Sequence, residues 1–281
     1  MNKFRVLGVA SALTISPFYL ASHASASEGF EAICGVSAMP PEVQKLTNEL
    51  LEPGKQINYS KFPPEELKRL MDFSIAEKAK QTKDFPNLCK YLAANRELLA
   101  SGELVQVVFL GDSITENWGI ADPQLFSAGI VNRGISGQTT PQILLRFQQD
   151  VITLKPKAVH ILAGTNDVFG NTGPSSDEMI LDNLQSMVDL ARQHRIKVIL
   201  GGLTPTGLSM SRDARTQVVN LKIKDLARRN HVRFVDYFGP LDDGTGKLRR
   251  DLGNDGLHPN RDGYVIMRRI AEQAIRQTVG N

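Results

Sequence analysis

The chain has 281 residues, 41% of them hydrophobic and 22% charged, a balance that excludes wholesale disorder and supplies enough apolar side chains for a sizeable core. Its formal net charge of +3 provides no global field to gather nucleic acid or anionic lipid, so neither is expected as a partner. The basic run Lys222, Lys224, Arg228, Arg229, Arg233 reads as the solvated side of a helix.

At the N-terminus, Lys3 and Arg5 precede the apolar run Val6 to Leu20, and Ala24-Ser25-Ala26 follows it. That order predicts a secretory signal over residues 1–26 and an exported, periplasmic or secreted, protein. The fifteen-residue run contains Pro17 and falls short of the roughly 20 residues that span a bilayer, so no membrane segment is expected in the mature chain. Losing Lys3 and Arg5 with the signal leaves a net charge of +1. The two cysteines, Cys34 and Cys89, have no metal-ligand spacing. In an exported chain they are expected to pair, which would stabilise the fold by about 4 kcal/mol; two separate buried thiols are the alternative. A lipid anchor on Cys34 fits poorly, because that cysteine lies well past the apolar run and behind Glu28 and Glu31.

Residues 27–101 suggest helices and loops without a strong strand, a helical N-terminal extension. Pro63-Pro64-Glu65-Glu66 looks like a helix start, continued by Leu67, Leu70, Met71 and Ile75 at helical spacing. From Val105 onward, β-rich runs alternate with amphipathic helices. The expected strands are Val105–Leu110, Gly129–Val131, Ala158–Leu162, Lys197–Leu200 and Val232–Val235. Between them, Thr140-Pro141 opens a helix that buries Ile143, Leu144 and Phe147. A Ser175-x-x-Glu178 capping box opens another, with Ile180, Leu184, Met187 and Ala191 on one face, and a last helix runs near Tyr264 to Arg276. This order predicts a three-layer α/β/α domain over residues 102–281, flavodoxin-like, around a five-stranded parallel sheet.

Ligands of such sheets sit beyond the carboxyl ends of the strands, where the loops read GDSIT, NRGISG and GTND. Ser113 stands at a strand-to-helix junction, where unbonded N–H groups favour developing negative charge. Its base should be a histidine. His160 lies inside a strand as a core residue, His194 ends a helix and His231 precedes a strand among arginines; His258 occupies the polar loop Asn254-Asp255-Gly256-Leu257-His258. One short turn there could hold Asp255 against the ring, with Asp251 and Asp262 as more distant alternatives. The amides of Ser113 and Gly134 and the carboxamide of Asn166 are candidate oxyanion donors, glycine at 134 being expected to let the backbone approach substrate. Trp118 either lines an acyl or sugar pocket or anchors the core. Ser136 is a weak second nucleophile candidate, and no G-x-S-x-G elbow exists.

GDS at 111–113, Asn132-Arg133-Gly134, GTND at 164–167 and D-x-x-H at 255–258 together resemble the four ordered blocks of the SGNH, or GDSL-type, hydrolases. NRGISGQTTPQ and LAGTNDVFGNTGP resemble the branch that includes bacterial relatives of platelet-activating-factor acetylhydrolase. The resemblance covers the chain from about Asp84 to the C-terminal helix. It implies Ser113 as nucleophile, His258 as base, Asp255 as its partner, and Ser113, Gly134 and Asn166 as oxyanion donors. Ile114-Thr115, where the name motif has leucine, leaves that chemistry intact and weakens a lipase reading. The expectation is a serine esterase for short, acetyl-type carboxylic esters, including those of an acetylated carbohydrate, with no metal or cofactor. Acyl transfer or thioester hydrolysis on the same triad is an alternative, and a non-catalytic flavodoxin-like binding module is another.

Overall fold

The computed structural model describes residues 34, 39–55, 57 and 62–280; the expected signal, residues 1–26, lies outside them. All described residues except Cys34 belong to one unit, Ala38–Asn281. Both cysteines are disulfide-bonded, as an exported chain would have them. Among the described residues, no helix is long and apolar enough to cross a membrane.

Three helices come first, α1 (Pro41–Leu51), α2 (Pro64–Gln81) and α3 (Cys89–Ser101). Proline stands at the start of α1 and α2, where its missing N–H has no carbonyl to bond. The apolar stripe read on α2 is only partly used, for Met71 and Ile75 remain exposed. The sheet follows as β1 (Val107–Gly111), β2 (Ile130–Gly134), β3 (Ala158–Leu162), β4 (Lys197–Gly201) and β5 (Arg233–Val235), all parallel in the order β2-β1-β3-β4-β5. This is the doubly wound, flavodoxin-like order, whose direction switches at β1. Its connections are α4 (Ser113–Ala121), α5 (Thr140–Leu145), α6 (Phe147–Asp150), α7 (Thr165–Phe169), α8 (Asp177–Gln193), α9 (Met210–Arg229), α10 (Phe238–Leu241) and α11 (Arg261–Val279), with a 3₁₀ turn at Ile152–Leu154.

Every residue of β1 and β3 is buried, as a strand covered on both faces requires. Helices α4 and α11 pack together on one face. There Trp118 meets Phe109 edge-on at 5.5 Å between ring centres and Tyr264 at 5.6 Å. Right-handed crossovers put α8 and α9 on the other face, against β4 and each other.

Four sequence-based boundaries shift, each for a hydrogen-bonding reason. Strand β2 runs on through Asn132, Arg133 and Gly134, because these polar residues find partners inside the fold. Asn132 Nδ2 donates to the Thr115 carbonyl at 2.6 Å, and Arg133 Nε to Asn95 Oδ1 at 2.8 Å. Helix α5 is capped by Thr139 in a box with Gln142, since Asp167 takes both the N–H and the hydroxyl of Thr140. Helix α8 is capped by Ser176, whose hydroxyl accepts from the Met179 N–H, rather than by Ser175. The last helix begins earlier than expected, at Arg261, with Asn260 as its cap.

Arg146, between α5 and α6, has no solvent exposure. Its guanidinium donates to the Gly111 carbonyl (2.8 Å), the Arg133 carbonyl (2.8 Å), Gln138 Oε1 (2.6 Å) and Asp150 Oδ2 (2.9 Å). Truncating one partner of such a buried pair strands the other charge, so Arg146→Ala is expected to lower the unfolding free energy by about 3–5 kcal/mol. Urea denaturation checks this, and a loss below about 1 kcal/mol would contradict the assigned network.

Candidate active site

The register places Gly111 of β1 level with Gly134 of β2 and Leu162 of β3. The residues that follow these strands therefore emerge together at the carboxyl edge of the sheet. Ser113 is the first residue of α4, capped by Asp112, whose Oδ1 accepts from the Ile114 N–H at 3.0 Å. Gly111 has no room for a side chain: a Cβ there would lie 2.5 Å from the Leu162 carbonyl oxygen. A strand can therefore run directly into this turn only through glycine.

Ser113 Oγ lies 2.9 Å from His258 Nε2, and His258 Nδ1 lies 2.7 Å from Asp255 Oδ2. The expected serine, imidazole and carboxylate are thus brought into one hydrogen-bonded line across 145 positions of chain. Asp255 Oδ1 also accepts from the N–H groups of Leu257 (2.9 Å) and His258 (2.8 Å), closing a tight turn. Gly256 sits in that turn at φ +76°, a conformation costly for other residues. Burial raises the Asp255 carboxyl, but bonding and charge from His258 and the two backbone donors outweigh it. The net effect holds Asp255 below the usual carboxylate range.

Asn166, in the first turn of α7, donates from Nδ2 to Asp112 Oδ2 (3.1 Å) and to the Gln138 carbonyl (3.0 Å). Its Oδ1 accepts from Asn171 Nδ2 at 2.7 Å. The Gly134 N–H donates to Asn132 Oδ1 at 2.8 Å. Packing alone demands glycine at 134: a Cβ would come within 2.1 Å of the Glu116 backbone nitrogen, where β2 lies close on the first turn of α4.

The remaining candidates separate cleanly. Trp118 has no solvent exposure and stacks among Phe109, His160, Tyr237 and Tyr264; it is a core anchor and cannot line a pocket. His160 is also fully buried, 2.9 Å from the Tyr237 hydroxyl, and burial pushes it down to about 3, so it is neutral. His194 caps the end of α8, and His231 occupies a turn at φ +54°. Ser136 Oγ donates to Glu116 Oε2 at 2.6 Å, which gives it a carboxylate partner on the site's flank instead of an imidazole. Asp167 of GTND bonds Thr140 and so positions α5.

Two contributors escaped the sequence reading. Arg146 is one; the signal available was its (i, i+4) spacing to Asp150. Tyr91 of α3 is the other, donating its hydroxyl to the Gly134 carbonyl while the Arg133 guanidinium lies over its ring at 4.8 Å. Nothing in the local sequence marks it.

Residues 109–266 match the model of the GDSL-like lipase/acylhydrolase family. The chain belongs to this family. A GDSL-like lipase of Bacteroides thetaiotaomicron aligns with a TM-score of 0.64 and 38% identity, over 69% of this chain and 98% of that one. An uncharacterized lipoprotein of Bacillus subtilis is 37% identical over 112 residues, 34% of this chain and 46% of the relative. An acetylxylan esterase of Geobacillus stearothermophilus is 37% identical over 71 residues, 25% of this chain and 29% of that protein. The chain thus spans less than half the length of these two sequence relatives.

Asp112 gives the site a pH signature. It is almost wholly buried, and desolvation lifts its carboxyl from 3.8 to about 6 against the lowering effect of the Ile114 N–H. Between these values the folded chain holds more protons than the unfolded one, so this carboxyl favours folding more as pH falls through the window. Relative to Asp112→Asn, the wild type is expected to gain on the order of 3 kcal/mol in unfolding free energy between pH 7 and pH 4. Paired urea titrations would show a flat or opposite difference if the carboxyl were not desolvated.

Proposed function

We propose that this chain is a serine esterase that hydrolyses short-chain carboxylic esters through an acyl-enzyme. The observation that carries the reading is the unbroken line from Asp255 through His258 to Ser113 Oγ. With Nδ1–H directed at Asp255, the Nε2 of a neutral His258 is left as the acceptor for the Ser113 hydroxyl proton. Ser113 Oγ attacks the ester carbonyl as that proton passes to His258, and the lowered carboxyl of Asp255 stays ionised and stabilises the imidazolium. His258 then protonates the departing alkoxide. Water, deprotonated in turn by His258, releases the acid and restores Ser113.

The tetrahedral oxyanion would accept from the N–H groups of Ser113 and Gly134 and from Asn166 Nδ2, each worth about 3 kcal/mol of transition-state stabilisation. At rest the last two donate to Asn132 Oδ1 and to the Gln138 carbonyl and Asp112. A full negative charge competes well for donors shared with the neutral oxygens of Asn132 and Gln138.

A short acyl group, carried by a carbohydrate or similarly polar alcohol, suits the short loops GDS, NRGISG and GTND around Ser113. The similarity to an acetylxylan esterase supports this choice, as does the resemblance of NRGISGQTTPQ to bacterial platelet-activating-factor acetylhydrolase relatives. We further infer export, with residues 1–26 as the signal, residues 27–101 as a helical extension and residues 102–281 as the catalytic domain. The disulfide supports export and leaves Cys34 no thiol for a lipid anchor.

Ser113→Ala is expected to reduce p-nitrophenyl acetate hydrolysis by about 10⁴-fold or more while the fold is kept. Mass spectrometry of wild type after an organophosphate should place the label on Ser113. Turnover by purified Ser113→Ala near the wild-type rate would refute the reading. In a panel from acetate to palmitate with acetylated xylooligosaccharides, the acetyl substrates should lead, and a preference for palmitate would remove the short-chain assignment.

A further inference from the structure

The loop that carries Asp255 and His258 is stapled at its base by the Asn260 N–H on the Leu252 carbonyl (2.8 Å) and Asn260 Nδ2 on the Asp251 carbonyl (2.9 Å). On one flank the Gly207 N–H donates to the Gly256 carbonyl at 2.7 Å. The other flank is held from outside the stretch that matches the family model. Helix α1 ends at Leu51 without a left-handed cap, Glu52 being extended at φ −75°, ψ 123°. Its last carbonyls are held by long backbone bonds, the Glu52 N–H on the Glu49 carbonyl at 3.3 Å and the Lys55 N–H on that of Glu52 at 3.4 Å. Asn254, next to Asp255, adds shorter bonds: its Nδ2 donates to the carbonyls of Leu50 (2.8 Å) and Glu52 (2.6 Å), with that of Glu49 at 3.3 Å.

Asn254 is 5% exposed, and its Oδ1 is buried with no hydrogen-bond partner among the described residues. Burying that acceptor unpaired is costly, whereas the N–H groups of the same amide are all bonded. Leu50 and Leu51 are buried, which fixes this end of α1, and α1 also packs on α4, the helix that begins at Ser113. One helix thus braces both the serine's helix and the histidine's loop.

We propose that Asn254 is a positioning residue, and that α1, through it, holds the Asp255–His258 pair in line with Ser113. The proposal rests on the triad reading above. Asn254→Ala removes the donors without touching the triad. The carboxylate and imidazole keep their own turn, but its angle to Ser113 loosens. Small misplacements of a reacting group cost up to about 100-fold.

Asn254→Ala is therefore expected to lower kcat for p-nitrophenyl acetate by about 10-fold or more, with KM within about twofold. The low-field proton resonance of His258 Nδ1–H should broaden or vanish. Asn254→Asp, which turns a carboxylate toward the same carbonyls, should do at least as much. A folded Asn254→Ala with wild-type kcat and an unchanged resonance overturns the proposal. Should neither variant fold, hydrogen exchange of the wild type decides: residues 254–258 should open together with the end of α1, and a loop that exchanges freely beside a protected α1 overturns the proposal. The resonance and the exchange report on the brace even if no ester is turned over. Failure of the esterase reading would show separately, as an unlabelled Ser113.

Discussion

The arrangement at the strand ends depends on the buried guanidinium of Arg146. Burying a cation is expensive unless each donor finds an acceptor, and here the acceptors are the parts that must be held together. The carbonyls of Gly111 and Arg133 lie one step upstream of Asp112 and Gly134, the Gln138 side chain belongs to the intervening loop, and Asp150 neutralises the charge. Asp150 in turn accepts from Asn95, whose Oδ1 accepts from Arg133. The Gln138 carbonyl accepts from Asn166. Three loops from three strands thus form one polar frame, and displacing any of them breaks hydrogen bonds away from water.

Within that frame, similar carboxylates are driven apart by their surroundings. Asp255 is bonded by His258 and two backbone donors and lies below its ordinary value; Asp112 is desolvated and rises to about 6. Near neutral pH, Asp255 can balance an imidazolium, and Asp112 accepts from the start of α4 and from Asn166. The proposed oxyanion donors Gly134 and Asn166 are not left orphaned between turnovers, because Asn132, Gln138 and Asp112 occupy them. In the proposed reaction, selectivity for the transition state would come from charge: a neutral ester carbonyl gains little by displacing the neutral oxygens of Asn132 and Gln138, whereas an oxyanion gains more.

How much of this could be read from sequence follows from the range of each interaction. The strands of the sheet core were legible because β-rich runs alternate with helical periodicity. Asp255 and His258 were legible because their bond is closed within one turn. The polar half of β2 was read as loop, since Asn132 and Arg133 are satisfied by Thr115 and Asn95, 17 and 38 positions away. The cap of α5 was misplaced by one residue because Asp167, 27 positions on, claims Thr140. Trp118 was left undecided because only the packed fold shows whether its ring meets solvent. The packing need for glycine at 134 was not legible, since the close approach of α4 has no signature in either segment alone.

The same logic changes how the segment before α3 is understood. Three glutamines after β2 bond its backbone: Gln138 Nε2 donates to the Pro86 carbonyl (2.7 Å), Gln142 to Phe85 (2.9 Å) and Gln149 to Leu88 (2.6 Å). Each is a sequence-neutral contact, made to a carbonyl that the turn before α3 leaves without a helical partner. Helix α3 then begins at disulfide-bonded Cys89 and places Tyr91 against the Gly134 carbonyl. Gln138 joins the two sides, with its side chain between Pro86 and Arg146 and its carbonyl on Asn166. A shift of the segment before α3 would therefore reach Asn166 through a single residue, and the site's geometry is inseparable from a stretch that carries none of its chemistry.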